Sequence, residues 1–116
     1  MDIRTLATEM DSMVVQGAIV DAVEKYFAQE ANTSDYNNVT TTGKAQMVEK
    51  MKGFTDAIAK VNGISLHRTL VDGNVSASEF TFDFLMKEDS KVYWHEIIRR
   101  IWNNQGQVIH EEYFNA

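Results

Sequence analysis

The feature that most constrains this chain is a change of period in its hydrophobic pattern at Gly63. Before that glycine, apolar residues recur every three or four positions; after it, they alternate. Leu6, Met10, Met13 and Val14 form one helical stripe, and Ile19, Ala22, Val23, Tyr26 and Phe27 form another. Gly17 lies between them and either separates two short helices or bends a single one. Met47, Met51, Phe54, Ile58 and Val61 make a third stripe, with Thr42 as candidate N-cap and Gly63 as the stop. The segment 31–42 (ANTSDYNNVTTT) has no helical period and reads as a loop holding at most a short edge strand.

From Ile64 onward the pattern is that of strands. Ile64 to Leu70 turns at Val71-Asp72-Gly73-Asn74 into Val75 to Met86. There Phe80, Phe82 and Phe84 share one face, opposed by Glu79, Thr81 and Asp83. A loop at Lys87 to Ser90 leads to Val92–Trp102, and Asn103-Asn104-Gln105-Gly106 turns the chain into Gln107 to Phe114. Helices first and a meander of strands last predict an α+β fold. Three N-terminal helices pack on one face of an antiparallel sheet, in a single domain over residues 1–116.

Composition removes several classes of function. No cysteine is present, so there is no disulfide framework, thiolate metal site or cysteine nucleophile. A net charge of −6 lacks the basic footprint that nucleic acid requires. No apolar run is long enough to span a bilayer, and the first residues lack a signal-peptide core, so a cytoplasmic protein is expected. Asn-x-Ser/Thr triplets at Asn32, Asn38 and Asn74 then read as turn chemistry rather than glycosylation sites. His67, His95 and His110 do not stand at a metal spacing, and Gly43-Lys44-Ala45 lacks the rest of a phosphate loop. Neither a metal nor a cofactor is expected.

The strand Val92–Trp102 is unusual because neither of its faces is cleanly apolar. Trp94, Glu96, Ile98, Arg100 and Trp102 point one way; Tyr93, His95, Ile97, Arg99 and Ile101 point the other. A half-buried strand should alternate apolar with polar. This one predicts a polar cavity on one side and a contact surface on the other.

Four strings, in this order, resemble the nuclear transport factor 2-like superfamily and within it the SnoaL-like proteins. They are 20–35 (VDAVEKYFAQEANTSD), Thr42-Gly43-Lys44, Val71-Asp72-Gly73-Asn74 and 100–113 (RIWNNQGQVIHEEY). The resemblance implies a cystatin-like α+β cone, its curved sheet wrapped with helices around an open pocket. It also implies relatives as varied as ketosteroid isomerases, polyketide cyclases and non-enzymatic transport factors, so fold alone does not give function. By the same resemblance, the isomerases' general-base aspartate falls on Asp35. Their oxyanion tyrosine falls near Asp11 and their protonated aspartate on Ile98. Both hydrogen-bond donors are therefore missing, which argues against steroid isomerisation by that mechanism.

A four-residue loop at Asn103 to Gly106 would pair Trp102 with Gln107, Arg100 with Ile109, Ile98 with Glu111 and Glu96 with Tyr113. A three-residue loop would instead turn His110 and Glu112 inward. The first register gives an aromatic bowl of Phe80, Phe82, Phe84, Trp94, Trp102 and Tyr113 around Glu96, Arg100 and Glu111. With Asp35 these three charged residues are the candidate catalytic groups, and the rings are the candidate ligand-binding set. One arginine between two carboxylates also reads as a satisfied internal ion network. The expected partner is a small hydrophobic or aromatic ligand bearing an oxygen, bound or changed by acid–base chemistry. A non-enzymatic interaction or ligand-sequestering module, its cone shut by Trp94 and Trp102, is the alternative. Tyr93, His95, Ile97, Arg99 and Ile101 on the outer face predict a homodimer.

Overall fold

The computed structural model describes residues 2–35 and 40–116. Helix α1 (Ile3–Val15) starts on Asp2, whose carboxylate accepts the Arg4 backbone N–H at 3.1 Å. It ends at Gly17, which adopts φ +86°, while the amides of Gly17 and Ala18 reach back to Val14 and Met13. Gly17 therefore separates two helices, and α2 runs over Ile19–Tyr26.

Two expectations fail directly after α2. Phe27 continues the helical stripe in sequence, yet it opens a strand, β1 (Phe27–Ser34), whose second half runs into the segment 31–42 that reads as a loop. β1 is short of β-branched residues and carries no alternating apolar pattern. Its pairing is supplied from both sides, by β2 (Thr40–Thr42) and by β6 (Val108–Asn115). Asn38, which opens one of the three triplets, lies outside the described residues.

Helix α3 covers Lys44–Asp56 and begins at Gly43, which sits at φ +89°; Thr42 makes no side-chain cap. Ile58 and Val61 fall on the helical stripe but belong to strand β3 (Ile58–Asp72), opposite Met86 and Phe84. Gly63 is therefore inside a strand and stops no helix. Cross-strand packing against β4 outweighs the local spacing here, as tertiary context often does. β3 and β4 (Val75–Met86) join through Gly73-Asn74, with Gly73 at φ +60°, the sign that the first position of a type II′ turn needs.

The sheet order is β2-β1-β6-β5-β4-β3, with β5 spanning Lys91–Trp102. All pairs are antiparallel except β1 with β6, which is parallel, so the sheet is not wholly antiparallel as expected. Three register shifts in the β3–β4 pair mark bulges that bend the sheet. The sheet stays open. Its concave face takes the buried alternates of β4 and β5, and α1 and α2 pack Ala7, Met10, Val14, Ala22 and Val23 into the same core.

The last hairpin differs from the expected register. Trp102 pairs with Val108, a bulge follows, and Arg100 then stands opposite Glu111, with Ile98 opposite Tyr113 and Glu96 opposite Asn115. The Asn103 side chain accepts the amides of Gln105 and Gln107, each at 2.9 Å, which stretches the loop. From Arg100 onward the shift is two residues, so Glu111 and Tyr113 keep the face they were expected to have.

Candidate functional site

Between the concave face and the helices lies a cavity of about 310 Å³. That is the lower end of the range for small-molecule sites. α1 and α2 supply Met10, Val14 and Val23, α3 supplies Met51 and Phe54, and the sheet supplies Phe82, Phe84, Trp94 and Ile98. Phe54 stacks on Trp94 with centroids 5.5 Å apart and meets Phe84 edge-on at 5.7 Å. The walls are therefore apolar and largely aromatic. The polar residues are few: Asp35, Lys50, Glu96, Arg100, Glu111 and Tyr113.

Arg100 is buried to 1% exposure and lies between two carboxylates. Its Nη1 donates to Asp11 Oδ1 at 2.7 Å and its Nε to Glu111 Oε2 at 2.8 Å. Burial opposes the charge, but Glu111 and Asp11 together hold the guanidinium charged, its pKa raised above its ordinary value. Asp11 Oδ2 also accepts the hydroxyls of Ser78 and Thr69, and the other oxygen of Glu111 accepts the Tyr113 hydroxyl. Burial, then the Glu111 charge, pushes the Tyr113 phenol well above its ordinary value. The charge of Arg100 is balanced by these two carboxylates. Arg100 has no reason to leave either carboxylate for an incoming anion.

Glu96 stands apart from it. Its side chain is 8% exposed, lines the cavity, and has no hydrogen-bond partner among the described residues. Desolvation, reinforced by the charges of Asp35 and Glu111, raises its pKa from 4.5 to about 7. A carboxyl with such a value exchanges protons readily near neutrality, which suits a general acid or base. Asp35 is different again: Lys50 Nζ donates to it at 2.8 Å, and both side chains are partly exposed. Its carboxylate is a paired group beside the cavity rather than a free base.

The expected site residues thus divide. Asp35, Glu96, Arg100, Glu111, Trp94, Tyr113, Phe82 and Phe84 share the cavity. Phe80 and Trp102 do not line it. Trp102 donates its indole N–H to Ser76 Oγ at 3.0 Å and meets Tyr26 edge-on at 6.0 Å, so it fills the core beyond Arg100. Phe80 stacks on Phe82 at 5.3 Å and is fully buried. Neither tryptophan shuts the cavity.

Two residues of the site went unassigned in the sequence. Asp11 is the second partner of Arg100, and its signal is faint: a carboxylate on the same helical face as Ala7, Met10 and Val14. Lys50 pairs with Asp35, and nothing local distinguishes it from the other lysines of α3. Among the described residues, no group of three or more His, Asp or Glu side chains is placed to hold a metal ion.

By sequence, no protein-family model and no curated protein matches the chain. Solved structures do resemble it. A protein of Mesorhizobium loti provisionally named a SnoaL-like polyketide cyclase superposes with a TM-score of 0.87 at 24% identity, covering 98% of this chain and 99% of its own. A second protein provisionally named a SnoaL-like polyketide cyclase, from Jannaschia, gives 0.78 at 12% identity, over 97% and 86% of the two chains. A ketosteroid isomerase-like fold from Catenulispora acidiphila, in complex with trimethylamine, gives 0.77 at 13% identity, over 96% and 85%. The chain has the nuclear transport factor 2-like fold. The sequence resemblance puts the isomerases' two hydrogen-bond donors near Asp11 and on Ile98. Here one is a buried aliphatic side chain, and the other is a carboxylate held by Arg100, Ser78 and Thr69. Among the described residues, no helix is long and apolar enough to cross a membrane.

Proposed function

We propose that this protein takes a small, apolar, ring-bearing ligand with a polar oxygen into its cavity, and that Glu96 exchanges a proton with it. The observation that carries the reading is Glu96 itself, a carboxyl on an aromatic wall without a partner among the described residues. In its neutral form it donates a hydrogen bond to an oxygen; in its ionised form it accepts a proton. Arg100, Asp11 and Glu111 position the floor of the cavity, and Asp35 with Lys50 contributes a polar group beside it. The unfilled volume favours this reading over a module whose cone is plugged by its own side chains.

The same reading places a second copy of the chain on the convex face. Tyr93, Leu70 and Phe114 are exposed there, and Ile97 stands opposite Phe114. Large apolar groups exposed on one face, here interspersed with the Glu79–His95 and Arg99–Glu112 ion pairs, support an interface.

The test is a screen of small aromatic ketones and phenols by NMR on the isotopically labelled protein. Shifts confined to the Trp94 indole, Phe54, Phe82 and the Glu96 carboxyl support a ligand cavity with Glu96 at its centre. Compounds that move only convex-face residues, or none at all, sink it.

A further inference from the structure

The charges around the cavity do not balance, and the imbalance says what the ligand brings. Two cations are present, and both are engaged: Arg100 by Asp11 and Glu111, Lys50 by Asp35. Four carboxylates surround them, and the fourth is Glu96, with no ionic partner among the described residues. A buried carboxylate needs either a proton or a countercharge. An anionic ligand would add to the excess negative charge, because the Arg100 charge is already balanced by Asp11 and Glu111.

The walls beside Glu96 favour one kind of countercharge. Trp94 precedes it by two positions on the same face of β5, and Phe82 stands opposite Trp94 on β4. Phe54 lies flat on Trp94. Ring faces attract organic cations, whereas a hydrated metal ion needs many more oxygens than one carboxylate among rings can offer. We infer that Glu96, with the rings of Trp94, Phe82 and Phe54, forms a seat for an organic cation, a protonated or quaternary nitrogen carried by the ligand. This rests on the ligand-cavity reading and narrows it. The oxygen of that ligand lies elsewhere on the molecule, and a protonated amine facing Glu96 still allows proton exchange.

Among the described residues, the charged and titratable groups that line the cavity with Glu96 are Asp35 after β1, Lys50 from α3, Arg100 from β5, and Glu111 and Tyr113 from β6, with Asp11 of α1 bonded to Arg100. α2 and β4 add only apolar side chains to the lining. A proton and a cation therefore compete for Glu96.

The experiment measures calorimetric binding of benzyltrimethylammonium, a permanent cation, and of 2-phenylethanol, a neutral oxygen-bearing probe, at pH 6 and pH 8. Because Glu96 titrates at about 7, the share of ionised Glu96 rises roughly tenfold across that interval, and the cation's affinity should rise with it. The alcohol's affinity should not. Glu96→Gln should abolish both the preference for the cation and its pH dependence while the alcohol still binds, and Trp94→Leu should weaken the cation several-fold. Equal affinities for the two probes at both pH values overturn the inference, as does a Glu96→Gln protein that keeps its cation affinity. Binding of the alcohol alone removes the cation seat and leaves the ligand cavity standing. If neither probe binds, the cavity reading fails and this inference with it.

Discussion

Replacing Glu96 by glutamine should stabilise the protein above neutral pH and leave it little changed in mild acid. In the folded chain the Glu96 carboxyl titrates at about 7, against 4.5 when unperturbed. Below the lower value both states hold the proton, and the group contributes no pH dependence. Between the two values the unfolded chain has released its proton while the folded chain still binds one, so stability falls as pH rises. Above the higher value both are ionised and the loss is complete. At about 1.4 kcal/mol per pH unit, the interval amounts to about 3 kcal/mol. Glutamine carries no titration. Whatever constant penalty its amide incurs in an apolar cavity is the same at every pH.

The assay is urea unfolding of both proteins at pH 5, 6, 7 and 8, read as the difference between them so that other titrating groups cancel. The advantage of Glu96→Gln should grow by about 2.5 kcal/mol from pH 5 to pH 8, which at ordinary urea slopes is a midpoint shift of about 1 M or more. A difference that stays constant from pH 5 to pH 8 would refute the reasoning, because Glu96 would then titrate as an exposed carboxyl does.

Three further outcomes are expected. Arg100→Met leaves Asp11 and Glu111 buried without their cation and should cost about 3–5 kcal/mol in chemical denaturation at pH 7; a loss under about 1 kcal/mol would show that the network is not structural. Phe80→Ala removes a fully buried ring outside the cavity and should cost about 3–5 kcal/mol in thermal or urea unfolding. Its fragment affinity should match that of the parent, and a large change in affinity would put Phe80 in the site after all. Ile97→Lys places a charge beside Phe114 on the convex face and should sediment as a monomer if this face joins two copies; a dimer mass that this substitution leaves unchanged removes this face from consideration.

The strand Val92–Trp102 was legible in outline. Alternation put Trp94, Glu96, Ile98 and Arg100 on one face, and the structure places all four at the cavity. It did not reveal which carboxylates Arg100 would choose. Glu96 and Glu111 were the visible candidates, whereas the ion pairs go to Asp11 and Glu111. Asp11 comes from a helix 89 positions away in sequence, and helix-to-sheet docking decides that contact. β1 was illegible for a related reason: small polar residues become a strand only because two other strands flank them.

Period and composition determined the three helices and the closing meander of strands, the α+β class, the inner and outer faces of β4 and β5, and the exclusion of thiol chemistry. Those are local properties, set by which residues recur at three, four or two positions. The tertiary structure decided where the helices end, the bulged register of the last hairpin, and the identity of the carboxylate left alone. That last point is a matter of accounting for charges across distant elements. Once Asp11 docks against Arg100, Glu96 has no ionic partner among the described residues, and the candidate chemistry of the cavity follows from it.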